Sequence, residues 1–111
     1  MIQPGQHDIV IQQNADFDLS FQLEDSSSDP FDLTGATVES EVWTAGKASK
    51  LVDFTVTVDD AANGEFTISL TEVQTAALSA GTAYYDVRVT TGSSTYYWVR
   101  GLVTIETGYT E

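Results

Sequence analysis

Hydrophobic and polar residues alternate along most of the chain with a period of two, which is typical of β-strands. The clearest run is ADFDLSFQLE, where every second residue is apolar and the residues between are acidic or polar. Its apolar positions are Phe17, Leu19, Phe21 and Leu23. A strand of this kind has one buried face and one face in water. DIVIQQ and ATVESEVW repeat the pattern, and the first of them places Ile9 and Ile11 on one face.

Further strands follow at short intervals. LVDFTVTV predicts one strand with Val52, Phe54, Val56 and Val58 on a single face. EFTISL predicts its return, with Phe66, Ile68 and Leu70 inward. TTGSS joins the last two strands, and DSSSDPFDLTG is a loop of turn-forming residues. About seven strands separated by turns predict an all-β protein, an immunoglobulin-like antiparallel β-sandwich. We expect a single domain over residues 1–111, with loose ends near 1–6 and 107–111.

One stretch, LTEVQTAALSAG, has the signals of a short helix near residues 71–78. Thr71 is a good N-cap residue, and Gln74 three residues later completes a capping box. Val73 and Ala77 are four residues apart and are expected to face the core together. Gly81 is expected to end the helix. The helix would bridge two strands in opposite sheets.

The charge is strongly unbalanced. The chain has 17 acidic and four basic residues, for a net charge of −13, and the first 46 residues contain no Lys or Arg. Such a surface repels phosphate backbones and anionic lipids, so the sequence disfavours nucleic-acid and membrane-surface binding. No signal peptide is evident, and no apolar run approaches the about 18 residues that span a bilayer. The chain therefore reads as soluble and not secreted.

Catalytic and cofactor-binding residues are scarce. His7 is the only histidine, no cysteine is present, and no nucleophile elbow or phosphate-binding loop occurs. Acidic residues that alternate along strands are typical of a solvated face. DDAANGE lacks the spacing of a calcium loop, and whether Asp59 and Asp60 hold a calcium ion stays open. The sequence predicts no enzyme and no cofactor.

The last two strands contain a cluster of aromatic and basic residues. Alternation places Tyr97 and Val99 with the core and turns their neighbours outward. The outward set is Tyr84, Arg88, Tyr96, Trp98 and Arg100, with Trp43 outward on another strand or at a bulge. Tyr, Trp and Arg are enriched in binding hot spots, so this set is predicted to be a protein interface. The alternatives are that a loop or the N-terminal strand covers the set, or that Arg stacks on Trp.

Two resemblances are carried by short motifs. LTEVQTAALSAGTAYYDVRV resembles the approach to the sixth strand of an immunoglobulin domain, with Tyr85 at the tyrosine position. DFDLSFQLEDSSSDPFDLTGATVESEVW, GEFTISLTEVQTAALSAGTAYYDVRVT and VRGLVTIE are together similar to immunoglobulin-like virion modules of tailed bacteriophages. That family includes the N-terminal domain of baseplate upper proteins, and the likeness covers residues 16–106.

The phage resemblance implies a non-enzymatic structural protein that is made in the host cytoplasm and docks on other virion proteins, either alone or as a homo-oligomer on the particle. A single domain without a fibre extension favours a capsid decoration (cement) protein, and a baseplate or tail adaptor is the alternative. A carbohydrate-binding module is a further alternative, in which Tyr84, Tyr96 and Trp98 stack on sugar rings.

Overall fold

A computed structural model of the chain describes residues 5–24 and 29–107. The strands within them are β1 (Gly5–Gln6), β2 (Ile9–Gln12), β3 (Phe17–Gln22), β4 (Thr37–Trp43), β5 (Lys50–Asp53), β6 (Thr55–Asp60), β7 (Glu65–Leu70), β8 (Gly81–Thr91) and β9 (Ser94–Glu106). The helix α1 is Glu72–Ala76. The predicted loop residues 25–28 and loose ends 1–4 and 108–111 lie outside the described residues, whereas Gly5–Gln6 form a strand rather than a loose end.

Two sheets face each other, which confirms the predicted all-β sandwich. In sheet A, β1 and β2 pair with β9, and the order continues through β8 and β4 to β5. In sheet B the order is β3, β7, β6. β1 and β2 run parallel to β9, and the other pairs are antiparallel. The pairing of β1 and β2 with β9 is therefore the exception to the predicted antiparallel arrangement.

The core lies between the sheets and is built from the alternating positions of their strands. Ile11, Val87 and Val103 of sheet A are fully buried, as are Phe66 and Ile68 of β7. The predicted inward positions of β2 and β7 are thus confirmed. Burial of this apolar surface is the main source of the stability of the fold.

The run LVDFTVTV forms two strands rather than the predicted one. β5 belongs to sheet A and β6 to sheet B, because the chain changes sheets at Phe54. The ring of Phe54 is buried, and its N–H donates to the carbonyl of Ser40 at 2.9 Å. Val58 was expected to face the core but is 42% exposed, since it lies next to a register shift at the edge of sheet B.

The N-terminal strands are fixed to β9 by polar contacts around Gly101. The buried Tyr85 hydroxyl donates to the carbonyl of His7 at 2.6 Å. A side chain at Gly101 would collide with that carbonyl, so the close approach requires glycine. Next to it, the N–H of Leu102 donates to the Asp8 carboxylate at 2.9 Å. Tyr85 therefore does not form the tyrosine corner, in which the hydroxyl bonds to backbone a few residues upstream.

The helix α1 links β7 of sheet B to β8 of sheet A, and its predicted capping box is confirmed. The Thr71 hydroxyl accepts from the N–H of Gln74, and the Gln74 side chain accepts from the N–H of Thr71. The predicted inward pair was wrong, because Val73 is 76% exposed and Ala77 is exposed. Gly81 begins β8 instead of ending the helix.

Thr75 holds the helix in place. It is fully buried, and its hydroxyl donates to the carbonyl of Ala15 at 2.8 Å and accepts from the N–H of Ala15 at 3.1 Å. Both polar groups of the Ala15 backbone are thereby satisfied at the end of the sandwich. A helix this short is unstable alone, so this reciprocal pair and the buried Leu78 beside it position the helix.

Replacing Thr75 with valine should lower the free energy of unfolding by about 2 kcal/mol, because both Ala15 groups lose their partner while the side-chain shape is kept. Val73→Ala is the matched control on the exposed face and should change it by less than about 0.5 kcal/mol. Urea denaturation followed by tryptophan fluorescence measures both. Equal stability of Thr75→Val and the native chain would show that the Ala15 pair does not hold the helix.

Candidate functional site

The outer face of sheet A brings aromatic and basic side chains together, although the set differs from the predicted one. Tyr84 and Tyr97 are 43% and 45% exposed, and Trp43 is half-buried. We name this group the aromatic–basic surface: Trp43, Lys47, Tyr84, Arg88, Tyr97 and Arg100. The predicted outward placement is confirmed for Tyr84 and Arg100, which are exposed, and for Arg88, whose side chain is 41% exposed.

A bulge in β9 decides which aromatic residues face outward. Val87 pairs with Val99, but Arg88 pairs with Tyr97, so Trp98 is an extra residue without a partner in β8. The extra residue reverses the alternation beyond it, which sends Tyr97 outward and Tyr96 inward. The predicted phase of Tyr97 and Tyr96 was therefore wrong.

Trp98 is part of the core rather than the surface. Its side chain is 6% exposed and lies against Phe31, with ring centroids 4.9 Å apart. Phe31 also contacts Tyr96 edge-on at 6.5 Å, and Tyr96 is half-buried. The alternative in which a loop covers these rings is thus the correct one for Trp98 and Tyr96. The buried indole N–H of Trp98 has no hydrogen-bond partner among the described residues.

Trp43 lies at the end of β4, where the pairing with β5 shifts register. It therefore faces outward and also lies at a bulge, the two placements that the sequence suggested. Its indole N–H donates to the Glu41 carboxylate at 2.9 Å. Lys47 places its ammonium group 5.3 Å from the centre of the indole ring. These contacts hold the ring in a fixed orientation on the outer face.

The charged side chains of this face are tied to one another. Arg88 donates to the Glu39 carboxylate at 2.9 Å and also interacts with Tyr97, and both contacts raise the pKa of Arg88. Lys50 lies 3.7 Å from the Glu41 carboxylate and 3.2 Å from that of Asp53. Exposed pairs of this kind add little stability, but together they fix the orientation of the groups around Trp43 and Tyr97.

Two hollows flank Tyr84 on this face. The first, of about 190 Å³, lies between the loop after Trp43 and the rings of Tyr84 and Tyr97. The second, of about 350 Å³, is lined by Arg100 and Leu102 on the other side of Tyr84. Asp86 lines both. The pKa of Asp86 is raised above its ordinary value, mainly because the carboxyl group is partly buried. The positive charges of Lys47 and Arg88 oppose this rise, and the charge of Glu41 adds slightly to it.

The two outer faces of the sandwich differ in charge. Arg88 and Lys47 line the first hollow, Arg100 lines the second, and Lys50 contacts an acid of the first. All four basic residues of the chain therefore lie on one side. The outer face of sheet B carries acidic and hydroxyl side chains, such as Asp18, Ser20 and Thr67, where the Ser20 and Thr67 hydroxyls are 2.9 Å apart.

The remaining candidate residues are involved in local contacts. The imidazole of His7 packs edge-on against Phe21 at 6.0 Å. Asp59 accepts from the Thr67 hydroxyl at 2.6 Å, and Asp60 accepts from the Asn63 amide at 2.8 Å. Within residues 5–24 and 29–107, no group of three or more His, Asp or Glu residues could hold a metal ion. No helix in this part of the chain is long and apolar enough to cross a membrane.

Burial and the charge of Asp8 raise the pKa of Tyr85 to about 12. The phenol therefore stays protonated as the donor to His7 over the whole neutral range. Tyr85 is a structural residue on the inner face of sheet A. Its neighbour Tyr84 points to the outer face and belongs to the aromatic–basic surface.

The two facing sheets place the protein among β-sandwich domains. The chain belongs to the family of LtfC-like β-sandwich domains, whose model matches residues 3–106. The finer resemblance to baseplate upper protein modules stays a prediction. Among curated proteins, none matches.

Solved structures show the same fold at low identity. A crystal structure of InlP from Listeria monocytogenes has a TM-score of 0.53 and 19% identity, over 95% of this chain and 28% of that one. This chain therefore spans less than a third of InlP, and the likeness shows the fold alone. The Lin-41 filamin domain is similar with a TM-score of 0.48 and 13% identity, over 87% of this chain and 82% of that domain.

The burial of Trp98 changes which substitutions can probe the surface. Trp98→Ala should lower the free energy of unfolding by about 3–5 kcal/mol, because it leaves a cavity beside Phe31. Tyr97→Ala, its neighbour on the outer face, should change it by less than about 1 kcal/mol. Thermal unfolding followed by circular dichroism compares them. A Trp98→Ala protein as stable as Tyr97→Ala would contradict the inward placement of Trp98.

Proposed function

We propose that the protein is a non-enzymatic structural module of a tailed-bacteriophage particle, made in the host cytoplasm and mounted on other virion proteins through the aromatic–basic surface. The observation that carries the proposal is the gathering of Trp43, Tyr84 and Tyr97 with every basic residue of the chain on one sheet face. Rigid aromatic side chains and arginine supply most of the binding energy in protein interfaces.

The charge distribution supports this choice of face. Away from the aromatic–basic surface, almost all charged side chains are acidic. An acidic partner protein therefore meets the least electrostatic repulsion at the aromatic–basic surface. The ion pairs of Arg88 with Glu39 and of Lys50 with Glu41 hold the charges in place before binding. Less side-chain freedom is then lost on docking.

The family supports a choice between positions on the particle. LtfC, from which the family takes its name, is a phage tail-associated protein. This likeness favours a tail or baseplate position. The sequence alone favours capsid decoration, because it predicts a single domain. Capsid decoration becomes the alternative.

Truncating the exposed rings should abolish docking without unfolding the chain. In Tyr84→Ala/Tyr97→Ala we expect at least a tenfold loss of copies per particle, because each hot-spot ring contributes about 2 kcal/mol. The control is Val58→Ala/Val73→Ala, which removes two exposed apolar side chains elsewhere. Virions grown with each version are purified, and the protein is counted by quantitative mass spectrometry and located by immunogold labelling.

Each result of this experiment has a distinct meaning. Native protein absent from purified virions would overturn the proposed function. Native protein present, with full incorporation of Tyr84→Ala/Tyr97→Ala, would overturn the docking surface alone. Gold on the head rather than the tail would select capsid decoration.

A carbohydrate-binding module is the second candidate, and the first hollow favours it. Two of the three rings first assigned to sugar stacking, Tyr96 and Trp98, lie inside. The hollow offers Trp43 and Tyr97 in their place, beside carboxylates and cations that are tied to their neighbours by hydrogen bonds. Uncharged sugars with an apolar face and many hydroxyls fit such a lining.

If the hollow binds sugars, a glycan array should give hits with the native chain that are lost in Tyr84→Ala and kept in Val58→Ala. An array without hits, with and without calcium, would reject this candidate and leave the particle experiment unaffected.

A further inference from the structure

The β3 strand leaves one side of its backbone open. Over Phe17–Gln22 it pairs with β7 without a register shift, and on its other side no strand of the described residues pairs with it. At both ends of β3 the backbone is held on the β7 side: the N–H of Leu23 donates to the carbonyl of Gly64 at 2.9 Å, and the N–H of Glu72 donates to the Asp16 carboxylate. The open side of the backbone therefore runs along Phe17–Gln22.

Other sheet edges carry features that hinder the addition of a strand. β6 has a register shift beyond Val58, β5 begins with Lys50 and is irregular against β4, and the edge formed by β1 and β2 is interrupted between Gln6 and Ile9. Bulges, lysines and breaks are the usual protection of edge strands. β3 contains no lysine, no proline and no bulge.

The apolar face of β3 is also incompletely covered. Its three inward side chains are only half-buried, whereas their partners on β7 are at most 3% exposed. The pairs are Phe17 with Leu70, Leu19 with Ile68, and Phe21 with Phe66. A strand added beside β3 would supply both the missing hydrogen bonds and the missing apolar contacts.

The charges near this edge determine which kind of strand could pair with β3. The outward residues of β3 are Asp18, Ser20 and Gln22, and Glu65 lies across from Gln22 on β7. All basic residues lie on the other sheet, so an added strand with Lys or Arg at its outward positions is attracted. A second copy of β3 would instead bring another Asp18 to this edge, on a molecule that already carries a net charge of −13.

We propose that the β3 edge accepts an extended segment of a partner protein, in which apolar residues alternate with Lys or Arg, as a fourth strand of sheet B. This second binding surface is independent of the aromatic–basic surface, which lies on the opposite face of the molecule. Main-chain hydrogen bonds supply affinity in this mode of recognition, and the alternate side chains supply specificity.

The probe is the capped peptide Lys-Val-Lys-Val-Lys-Val-Lys, titrated into the isotope-labelled full chain and followed by amide NMR shifts and hydrogen exchange. We expect shift changes and slowed exchange over Phe17–Gln22, and none around Tyr84. Two control peptides separate strand addition from plain charge attraction. One has N-methyl groups on alternate residues and should bind at least about tenfold more weakly, since it cannot complete the ladder. The other, Lys-Lys-Lys-Lys-Val-Val-Val, has the same composition without alternation.

Two variants test the site on the protein side. Asp18→Lys should weaken binding of the alternating peptide about tenfold or more, by removing an attraction and adding a repulsion. Glu106→Lys makes the same charge change on β9 of sheet A and should leave binding within about twofold, because Glu106 does not belong to the β3 edge. Equal effects of the two variants would point to net charge alone.

Any of three results overturns the proposal. The first is shift changes that map away from β3, and the second is equally tight binding of the N-methylated peptide or of Lys-Lys-Lys-Lys-Val-Val-Val. The third is protection of the β3 amides that rises with protein concentration before peptide is added. The last would make a second copy the occupant. None of these results bears on the presence of the protein in virions.

Discussion

Trp98 is the one residue inside β9, away from its ends, that has no partner in β8, and the placement of the aromatic side chains of this strand follows from it. The extra residue allows two neighbours, Trp98 and Val99, to be buried in succession. Without it, alternation would turn Tyr97 toward the core and leave a tryptophan in water. The bulge thus places the largest apolar side chain of the strand against Phe31 and presents Tyr97 beside Arg88.

The same pair of strands also anchors the start of the chain. β9 accepts β2 as a parallel neighbour, while Tyr85 of β8 reaches the His7 carbonyl across the space left by Gly101. The N-terminal strands are thereby committed to sheet A. Since sheet B does not receive them, β3 remains at its edge. The pairing of β1 and β2 with β9, supported by the contact of Tyr85, thus leaves β3 as an open edge of the sandwich.

Most of the fold could be predicted from the sequence, because burial imposes a regular period wherever a strand has one wet face. ADFDLSFQLE and EFTISL are such segments, and the capping box at Thr71 is equally local. TYYWVR gives no such signal: Tyr96, Tyr97, Trp98 and Val99 are all bulky, and no polar residue marks the phase. The change of sheet at Phe54 left no mark either, because Val52 and Val56 keep the same alternation through it.

The candidate surface was predicted in part for the same reason. Tyr84 and Arg88 alternate with buried valines and could be placed from the pattern. The inward turn of Thr75 could not, because its burial depends on Ala15, a contact between residues far apart in the sequence. A polar residue that satisfies distant backbone groups looks, in the sequence, like a residue of the wet face.

The two proposed binding surfaces differ in chemistry. Sheet A gathers the basic residues around aromatic rings whose polar neighbours are mostly paired, so binding there would draw its energy from burial of those rings. Sheet B presents an acidic face beside an unpaired backbone edge, so binding there would draw on hydrogen bonds and charge. Because the two surfaces differ in this way, we expect them to select different partners.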